Sequence, residues 1–220
     1  MGHDLKTLAI VQARMGSTRF PNEVMLPING VPLIELLLHR LSLAKLIDHI
    51  LVATSTATGD KQLAAHVRNL GYEVFEGSEN NVLYRFYKAA LPHRPNTVVR
   101  ITGDCPLLDP ELVDVIIASF DARHVDYLCN GNPSTFPDGL DTEVFTYSAL
   151  EQAARHANTS DSLSTLPPTS VKAVALQQKI FSTTTTIPAS VGQWTNQRTS
   201  QSLMQFLDIL VRELILVSWR

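Results

Sequence analysis

Short apolar runs alternate with longer stretches of helical period through the first 160 residues, and that alternation confines the chain to α/β folds. Leu8 to Val11 is an apolar run that ends at a polar, Gly-containing loop, Gln12 to Asn22, as a buried strand feeding a ligand-facing turn would. Pro32 is expected at the first helical position, because Leu33, Leu36, Leu37, Arg40 and Leu41 follow it as a 3.6-residue stripe. Ile50 to Ala53 reads as the next strand, Asp60 to Leu70 as a helix closed by Gly71, and Tyr72 to Phe75 as a short strand. Asn81 to Ala90 is helical in pattern, and Thr97 to Ile101 is a β-branched strand ending at Gly103-Asp104. Pro110 opens a helix through Phe120, and Tyr127 to Cys129 gives one more strand. Strands joined by crossover helices predict a three-layer α/β fold, a mostly parallel, Rossmann-like sheet covered on both faces. Such sheets bind ligands beyond the carboxyl ends of their strands, which sets the loop after the first strand beside the Gly103-Asp104 turn.

Composition narrows the function classes. A length of 220 residues suffices for one domain with a sizeable core. With 18 Lys+Arg against 21 Asp+Glu, a net charge of −3 leaves no electrostatic footprint for nucleic acid or an anionic membrane, and neither is expected as a partner. Cys105 and Cys129 are too few and too isolated for a disulfide framework or a Cys-based metal site, and fit a reducing cytoplasm. The first residues, Met1 to Lys6, carry no charged region followed by a long apolar run, so no secretory leader is expected. Leu203 to Trp219 is apolar but broken by Asp208, Arg212 and Glu213, and reads as an amphipathic helix rather than a membrane span.

Three clusters carry chemistry. The first loop, Gln12-Ala13-Arg14-Met15-Gly16-Ser17-Thr18-Arg19-Phe20-Pro21, sets two arginines, a glycine and two hydroxyls directly after a strand. A polyphosphate needs such bidentate donors and a backbone it can approach closely; a solvated basic loop would look the same, and the loop is not a Walker A sequence. Asp104 closes a strand, where a carboxylate either holds Mg²⁺, which takes few protein ligands, or caps a turn. Pro137-Asp138-Gly139-Leu140-Asp141-Thr142-Glu143 gathers three carboxylates around a glycine, fit to accept hydrogen bonds from sugar hydroxyls, to charge a metal site, or to form an exposed acidic turn.

Together with Val52-Ala53-Thr54-Ser55, Gly77-Ser78-Glu79, Val82-Leu83, Arg85-Phe86-Tyr87 and Arg100-Ile101-Thr102-Gly103-Asp104-Cys105-Pro106-Leu107, these clusters resemble the cytidylyltransferase family. The similarity is to its spore-coat polysaccharide branch, related to the enzymes that make CMP-activated octulosonate and sialic acids, and covers roughly residues 7 to 155. It implies a nucleotide-diphospho-sugar-transferase-like fold and attack of a sugar or sugar-acid oxygen on the α-phosphate of CTP, with loss of pyrophosphate. By the same resemblance Gln12, Ala13, Arg14, Gly16, Ser17 and Arg19 hold the nucleotide and its phosphates. Arg14, Arg19 and Asp104 are the catalytic candidates, Asp104 is the Mg²⁺ ligand, and Arg100, Asp138, Asp141 and Glu143 face the acceptor. CTP and a sugar or sugar acid are the implied partners, and a homodimer is a compatible assembly. A glycosyltransferase using a nucleotide sugar, and an inactive nucleotide-binding remnant, are the competing readings.

The chain departs from the family in two respects. Where relatives resemble Leu-Pro-Gly-Lys after the arginine loop, this sequence has Phe20-Pro21-Asn22-Glu23, so an acid replaces the phosphate-pairing lysine. Glu76 stands where Arg is usual and Asn81 where Asp is usual, which predicts altered nucleotide or acceptor contacts. The second departure is compositional: all seven histidines, nine of ten glycines and 19 of 21 acids precede residue 163, and Thr159 to Ser202 is dominated by Ser, Thr and Gln. The family's Glu-His-Val-Thr-Pro-Tyr-Ile-Arg is missing, yet it can be written by joining the third base of each codon from Leu163 to Val171 to the first two bases of the next. Arg-Trp-Thr-Val-Asp-Glu-Pro-Glu-Asp-Phe, equally missing, follows in the same frame from Ser190 to Ser200. The expectation is therefore a native-like domain over residues 1–160 and an out-of-frame translation over 161–220, lacking the second metal-binding Asp of the Val-Asp-Glu-Pro motif. Weak or no nucleotidyl transfer follows from that expectation, with a tail that packs poorly.

Overall fold

Strand β1 (Thr7–Gln12) is made of residues whose side chains are almost all buried, and it runs through the middle of the sheet. In the computed structural model, which describes residues 6–16, 21–131, 136, 137 and 139–156, a 3₁₀ turn at Glu23–Met25 leads into a two-residue hairpin, β2 (Pro27–Ile28) and β3 (Val31–Pro32). The chain continues through α1 (Leu33–Leu41), β4 (His49–Ser55), α2 (Asp60–Asn69), β5 (Glu73–Gly77), α3 (Val82–Ala90) and β6 (Thr97–Thr102). It then passes through α4 (Pro110–Arg123), β7 (Tyr127–Cys129), β8 (Glu143–Thr146) and α5 (Tyr147–His156). The tail expected to be out of frame lies outside the described residues.

The large sheet has the order β5-β4-β1-β6-β8-β7. β5, β4, β1 and β6 are parallel neighbours, while β8 runs antiparallel to both β6 and β7, so the sheet is mostly parallel as predicted. From β1 the chain winds through β4 to β5 on one side and then crosses over by α3 to β6 on the other. The gap between the ends of β1 and β6 is therefore the topological switch point, where open α/β sheets place their ligands. One face of the sheet carries a core in which Leu8, Ile10, Leu51 and Val98 meet Leu83, Phe86 and Ala90 of α3 and Leu150 of α5. Ala9 and Val11, which alternate to the other face, are equally buried, as a parallel sheet covered on both sides requires.

Local chemistry explains where the elements begin and end. Pro32 is not the first residue of α1 but the one before it, because its backbone is extended (ψ 143°) and pairs with Pro27 in the hairpin. Gly71 takes φ 88° just after α2, the left-handed stop expected of it. Asn81 caps α3 by accepting from Tyr84 N–H at 2.8 Å, so its exchange for the usual Asp leaves the cap intact. Asp109 caps α4 through Glu111 N–H and Leu112 N–H, and that helix runs three residues past Phe120 before His124 turns left-handed.

Candidate functional site

β1 and β6 end side by side, with Gln12 paired in register to Thr102. Beyond them lies a cavity of about 210 Å³ lined by Gln12, Ala13, Arg14, Glu23, Val24, Thr102, Gly103 and Asp104. Pockets for drug-sized ligands run to roughly 300–1,000 Å³, and the space between the described residues is of a size for a phosphate group with its cation. Gly103 permits the approach of the two strand ends: its N–H donates to Gln12 O at 2.8 Å, and a Cβ there would stand 2.8 Å from the Ala13 Cβ. Asp104 is exposed on this cavity, and the Cys105 thiol donates to its Oδ1 at 3.6 Å. Burial pushes the Cys105 pKa up to about 12, and the charges of Asp104 and Asp141 push the same way, so the thiol stays protonated and is no nucleophile at neutral pH.

The arginine loop is held from below by a residue that its sequence pattern concealed. Asp60, buried at the start of α2, accepts from Met15 N–H at 2.6 Å, from Ser55 N–H at 3.2 Å and from the Ser55 hydroxyl. Asn22 N–H donates to Met15 O at 2.9 Å and closes the loop. Arg85 is fully buried beside it, its guanidinium donating to the carbonyls of Ser78 and Glu79. Burial lowers the Arg85 pKa and the Arg14 charge lowers it further, while Asp60 and Glu79 oppose them, which makes Arg14, Arg85 and Asp60 electrostatic neighbours. Asp60 reads in sequence as an ordinary first helical residue, and nothing in its neighbours marks it.

The acidic cluster divides. Glu143 lies within β8, not on an exposed turn, and pairs with Arg100 of β6 while accepting from the Tyr127 hydroxyl at 3.2 Å. Arg100 also donates to Gln12 Oε1 from Nε at 3.3 Å and from Nη2 at 3.0 Å. A chain of hydrogen bonds thus runs from Tyr127 through Glu143 and Arg100 to the cavity wall. Burial raises the Glu143 carboxyl above its ordinary pKa even though Arg100 pulls it down. Asp141 is exposed and approaches Gly131 closely, within a segment tied down by Asn130, which donates to Leu140 O and accepts from Thr142 N–H.

Of the candidate residues, Gln12, Ala13, Arg14 and Asp104 share the cavity, and Arg100 and Glu143 connect to it through Gln12. Gly16 is exposed on the same loop, while Ser17, Arg19 and Asp138 lie outside the described residues. Glu23 lines the cavity with Asp104. Glu76, the other charge departure, forms an ion pair with Arg68 at 2.6 Å. A second group of ligating side chains, His49, Glu73 and His93, stands apart, at the opposite end of the strands. Among the described residues no helix is long and apolar enough to cross a membrane.

A family model described as cytidylyltransferase matches residues 8–209. The chain is 40% identical over 153 residues to an uncharacterized protein of Methanocaldococcus jannaschii, covering 70% of this chain and 62% of that protein. It is 41% identical over 124 residues to the spore coat polysaccharide biosynthesis protein SpsF of Bacillus subtilis, covering 54% and 52% respectively. The chain therefore spans less than two thirds of the length of either relative. Among solved structures, a cytidylyltransferase from Leptospira borgpetersenii superposes with a TM-score of 0.73 at 29% identity, over 80% of this chain and 73% of that one. A CMP:2-keto-3-deoxy-manno-octonic acid synthetase complexed with CTP shares the fold, with a TM-score of 0.59 at 16% identity over 80% and 84%.

Proposed function

The chain belongs to the cytidylyltransferase family, and from that premise we propose that the cavity beyond β1 and β6 serves transfer of CMP from CTP to a sugar or sugar acid destined for surface polysaccharide. The observation that carries this reading is the convergence of Arg14, from the end of one strand, and Asp104, from the end of the next, on one phosphate-sized cavity at the switch point. In the transfer an acceptor oxygen bonds to the α-phosphorus while the bond to the bridging oxygen breaks. Pyrophosphate leaves with that electron pair, and the acceptor proton passes to solvent. Such chemistry asks the protein mainly for charge neutralisation and in-line positioning.

Arg14, with Arg19 of the same loop, is the residue type to neutralise phosphate oxygens bidentately. Asp60 holds the loop that carries Arg14, through Met15 N–H. Arg100 is donor-only, so the Gln12 atom it faces is the carbonyl oxygen, and the amide NH₂ is left as Gln12's donor. An exposed carboxylate whose described partner is a weak thiol donor fits Mg²⁺, which takes oxygen ligands and keeps several waters; Asp104 would hold it. When bound, Mg²⁺ would neutralise phosphate charge and orient the leaving group.

This chain is an impaired member on the same reading. Glu23 sets a negative charge on the cavity that takes phosphate, and a frame change near residue 160 removes the second metal-binding Asp. A Mg²⁺-dependent CTP titration and a pyrophosphate-release assay test both statements, with this chain beside a Glu23→Lys chain whose reading frame is restored. CTP should bind weakly here and turn over in the restored chain. Undiminished binding here would remove the impairment, and failure of the restored chain to bind CTP would remove the function. The presence of Glu23 in the cavity specifically favours one second reading, an inactive nucleotide-binding remnant, in which this chain does not bind CTP and neither chain releases pyrophosphate.

A further inference from the structure

Three side chains with metal-binding atoms converge at the start of the strands, away from the cavity. His49 is the first residue of β4 and Glu73 the first of β5, while His93 lies on the turn after α3. β4 is seven residues long at about 3.3 Å per residue, so roughly 20 Å of sheet separates this cluster from the cavity beyond the carboxyl ends. Each carrier is rigid. The strand pair β4·β5 is in register from Leu51↔Glu73 to Ser55↔Gly77, and the turn is fixed by His93 N–H and Arg94 N–H donating to Ala90 O at 3.1 and 3.0 Å.

The ligating atoms already lie close. His49 Nε2 is 2.7 Å from Glu73 Oε2, His93 Nε2 is 3.2 Å from Glu73 Oε1, and one ligand atom from each residue lies within 4.8 Å of the others. The two imidazoles face one another at 5.2 Å between centroids. Zn²⁺ binds nitrogen and oxygen at about 2.0–2.2 Å, which puts the donor atoms of a tetrahedral site roughly 3.3 Å apart. Side-chain rotations of about an ångström, in groups that are half-exposed, bring the three to that spacing.

We propose that His49, Glu73 and His93 form a site for a divalent transition metal, Zn²⁺ in the first instance, independent of the nucleotide cavity. Imidazole suits Zn²⁺, Co²⁺ and Ni²⁺, whereas Mg²⁺ is served by all-oxygen sets, so the cluster selects a different ion from the one expected at Asp104. Three protein ligands leave a fourth position to water. Bound there, the ion ties the turn after α3 to the first residues of β4 and β5, and so fastens one helix to the edge of the sheet.

The full 220-residue chain, free of affinity tags and stripped with chelator, is titrated with Co²⁺ and then with Zn²⁺. One equivalent of Co²⁺ should give visible absorption that one equivalent of Zn²⁺ abolishes, excess Mg²⁺ should not compete, and Zn²⁺ should raise the melting temperature. Loss of second-sphere groups alone costs roughly 10–100-fold in metal affinity, so His49→Gln, His93→Gln and Glu73→Gln should each weaken Zn²⁺ by at least about tenfold. His39→Gln, an exposed histidine on α1, should leave affinity unchanged. In the unsubstituted chain, Zn²⁺ should shift the NMR ring signals of His49 and His93 together, a readout that no folding defect of a variant can confuse. Absence of stoichiometric binding, equal competition by Mg²⁺, or ring shifts at other histidines would overturn the site.

Discussion

At the residue scale, Glu23 and Gly103 act on the same cavity by different physics. A lysine at position 23 would attract the phosphates that Glu23 repels. Unit charges ~4 Å apart interact by up to about 4 kcal/mol in a partly screened site. Water in an open cavity reduces the net swing, and about 1–3 kcal/mol corresponds to a roughly ten- to hundredfold change in affinity. Glu23→Lys is thus expected to tighten CTP by that factor in a titration at low salt, and to lose most of the gain at high salt. Gly103 has a steric role instead. Its ordinary backbone conformation would admit a side chain, but a Cβ would stand 2.8 Å from the Ala13 Cβ and 3.0 Å from Gln12 O, against backbone that cannot yield cheaply. Gly103→Ala should cost about 1–3 kcal/mol of stability by overpacking, read as a lower urea midpoint, and should widen the strand ends that hold Arg14 and Asp104. An unchanged midpoint would mean that the β1 and β6 termini are softer than their hydrogen bond suggests.

Between elements, two carboxylates join what the sequence lists far apart. Asp60 connects the start of α2 to the β1 loop and the end of β4, so Asp60→Ala leaves Met15 N–H and the Ser55 donors without their acceptor. Hydrogen bonds to charged groups contribute roughly 1.5–3 kcal/mol, and the expected loss is about 2–4 kcal/mol with CTP affinity falling as the loop loosens. Urea unfolding and a CTP titration on the same variant measure both. Glu143 connects β8 to β6 and β7, and burial raises its carboxyl above the ordinary value of 4.5 despite Arg100. The folded state then holds that proton more tightly than the unfolded chain, so Glu143 makes stability fall as pH rises from 4.5 through its folded pKa. Glu143→Gln should flatten that part of the pH profile of the urea midpoint. The same two residues mark the limit of sequence reading. Strands such as β1 and β6 and helices such as α2 and α3 were legible because their apolar period is local, with ends displaced by one to three residues. β8 was not, because Glu143–Thr146 is four residues long and its burial comes from partners 14 to 49 positions away. The cavity lining from Gln12, Arg14 and Asp104 was legible because the switch point fixes which strand ends meet. Asp60 and Arg85 were missed because a buried charge is recognised by what surrounds it, which only folding assembles.

For the molecule as a whole, the question is which part of the sequence was shaped by the fold. Among the described residues the last element is α5, ending at His156, and the family model matches on to residue 209. A frame change near residue 160 is our proposal from the motifs alone; an out-of-frame tail would not by itself resemble the family, so the family model's reach to residue 209 counts against it. The genetic code makes the idea unusually exposed to test. Trp194 has one codon, so its final G followed by the AC of Thr195 gives GAC, Asp, whatever the codon usage. The rest demands particular third bases: T in Val191, A in Gly192, G in Gln193, G in Thr195, C in Asn196, G in Gln197, G in Arg198 and T in Thr199. Those choices, with Arg198 drawn from the AG-family codons and Ser200 from the TC-family codons, spell Trp-Thr-Val-Asp-Glu-Pro-Glu-Asp-Phe one frame over. Sequencing the coding DNA should return these bases, and a different set at even a few positions removes the frame change. If they are present, a chain returned to frame near residue 160 regains the carboxylate that the family resemblance places on the second metal. It should then release pyrophosphate from CTP and melt at a higher temperature than the present chain. On the same condition the present chain should lose its residues beyond about 160 first under limited proteolysis, because an out-of-frame segment is not selected to cover this sheet.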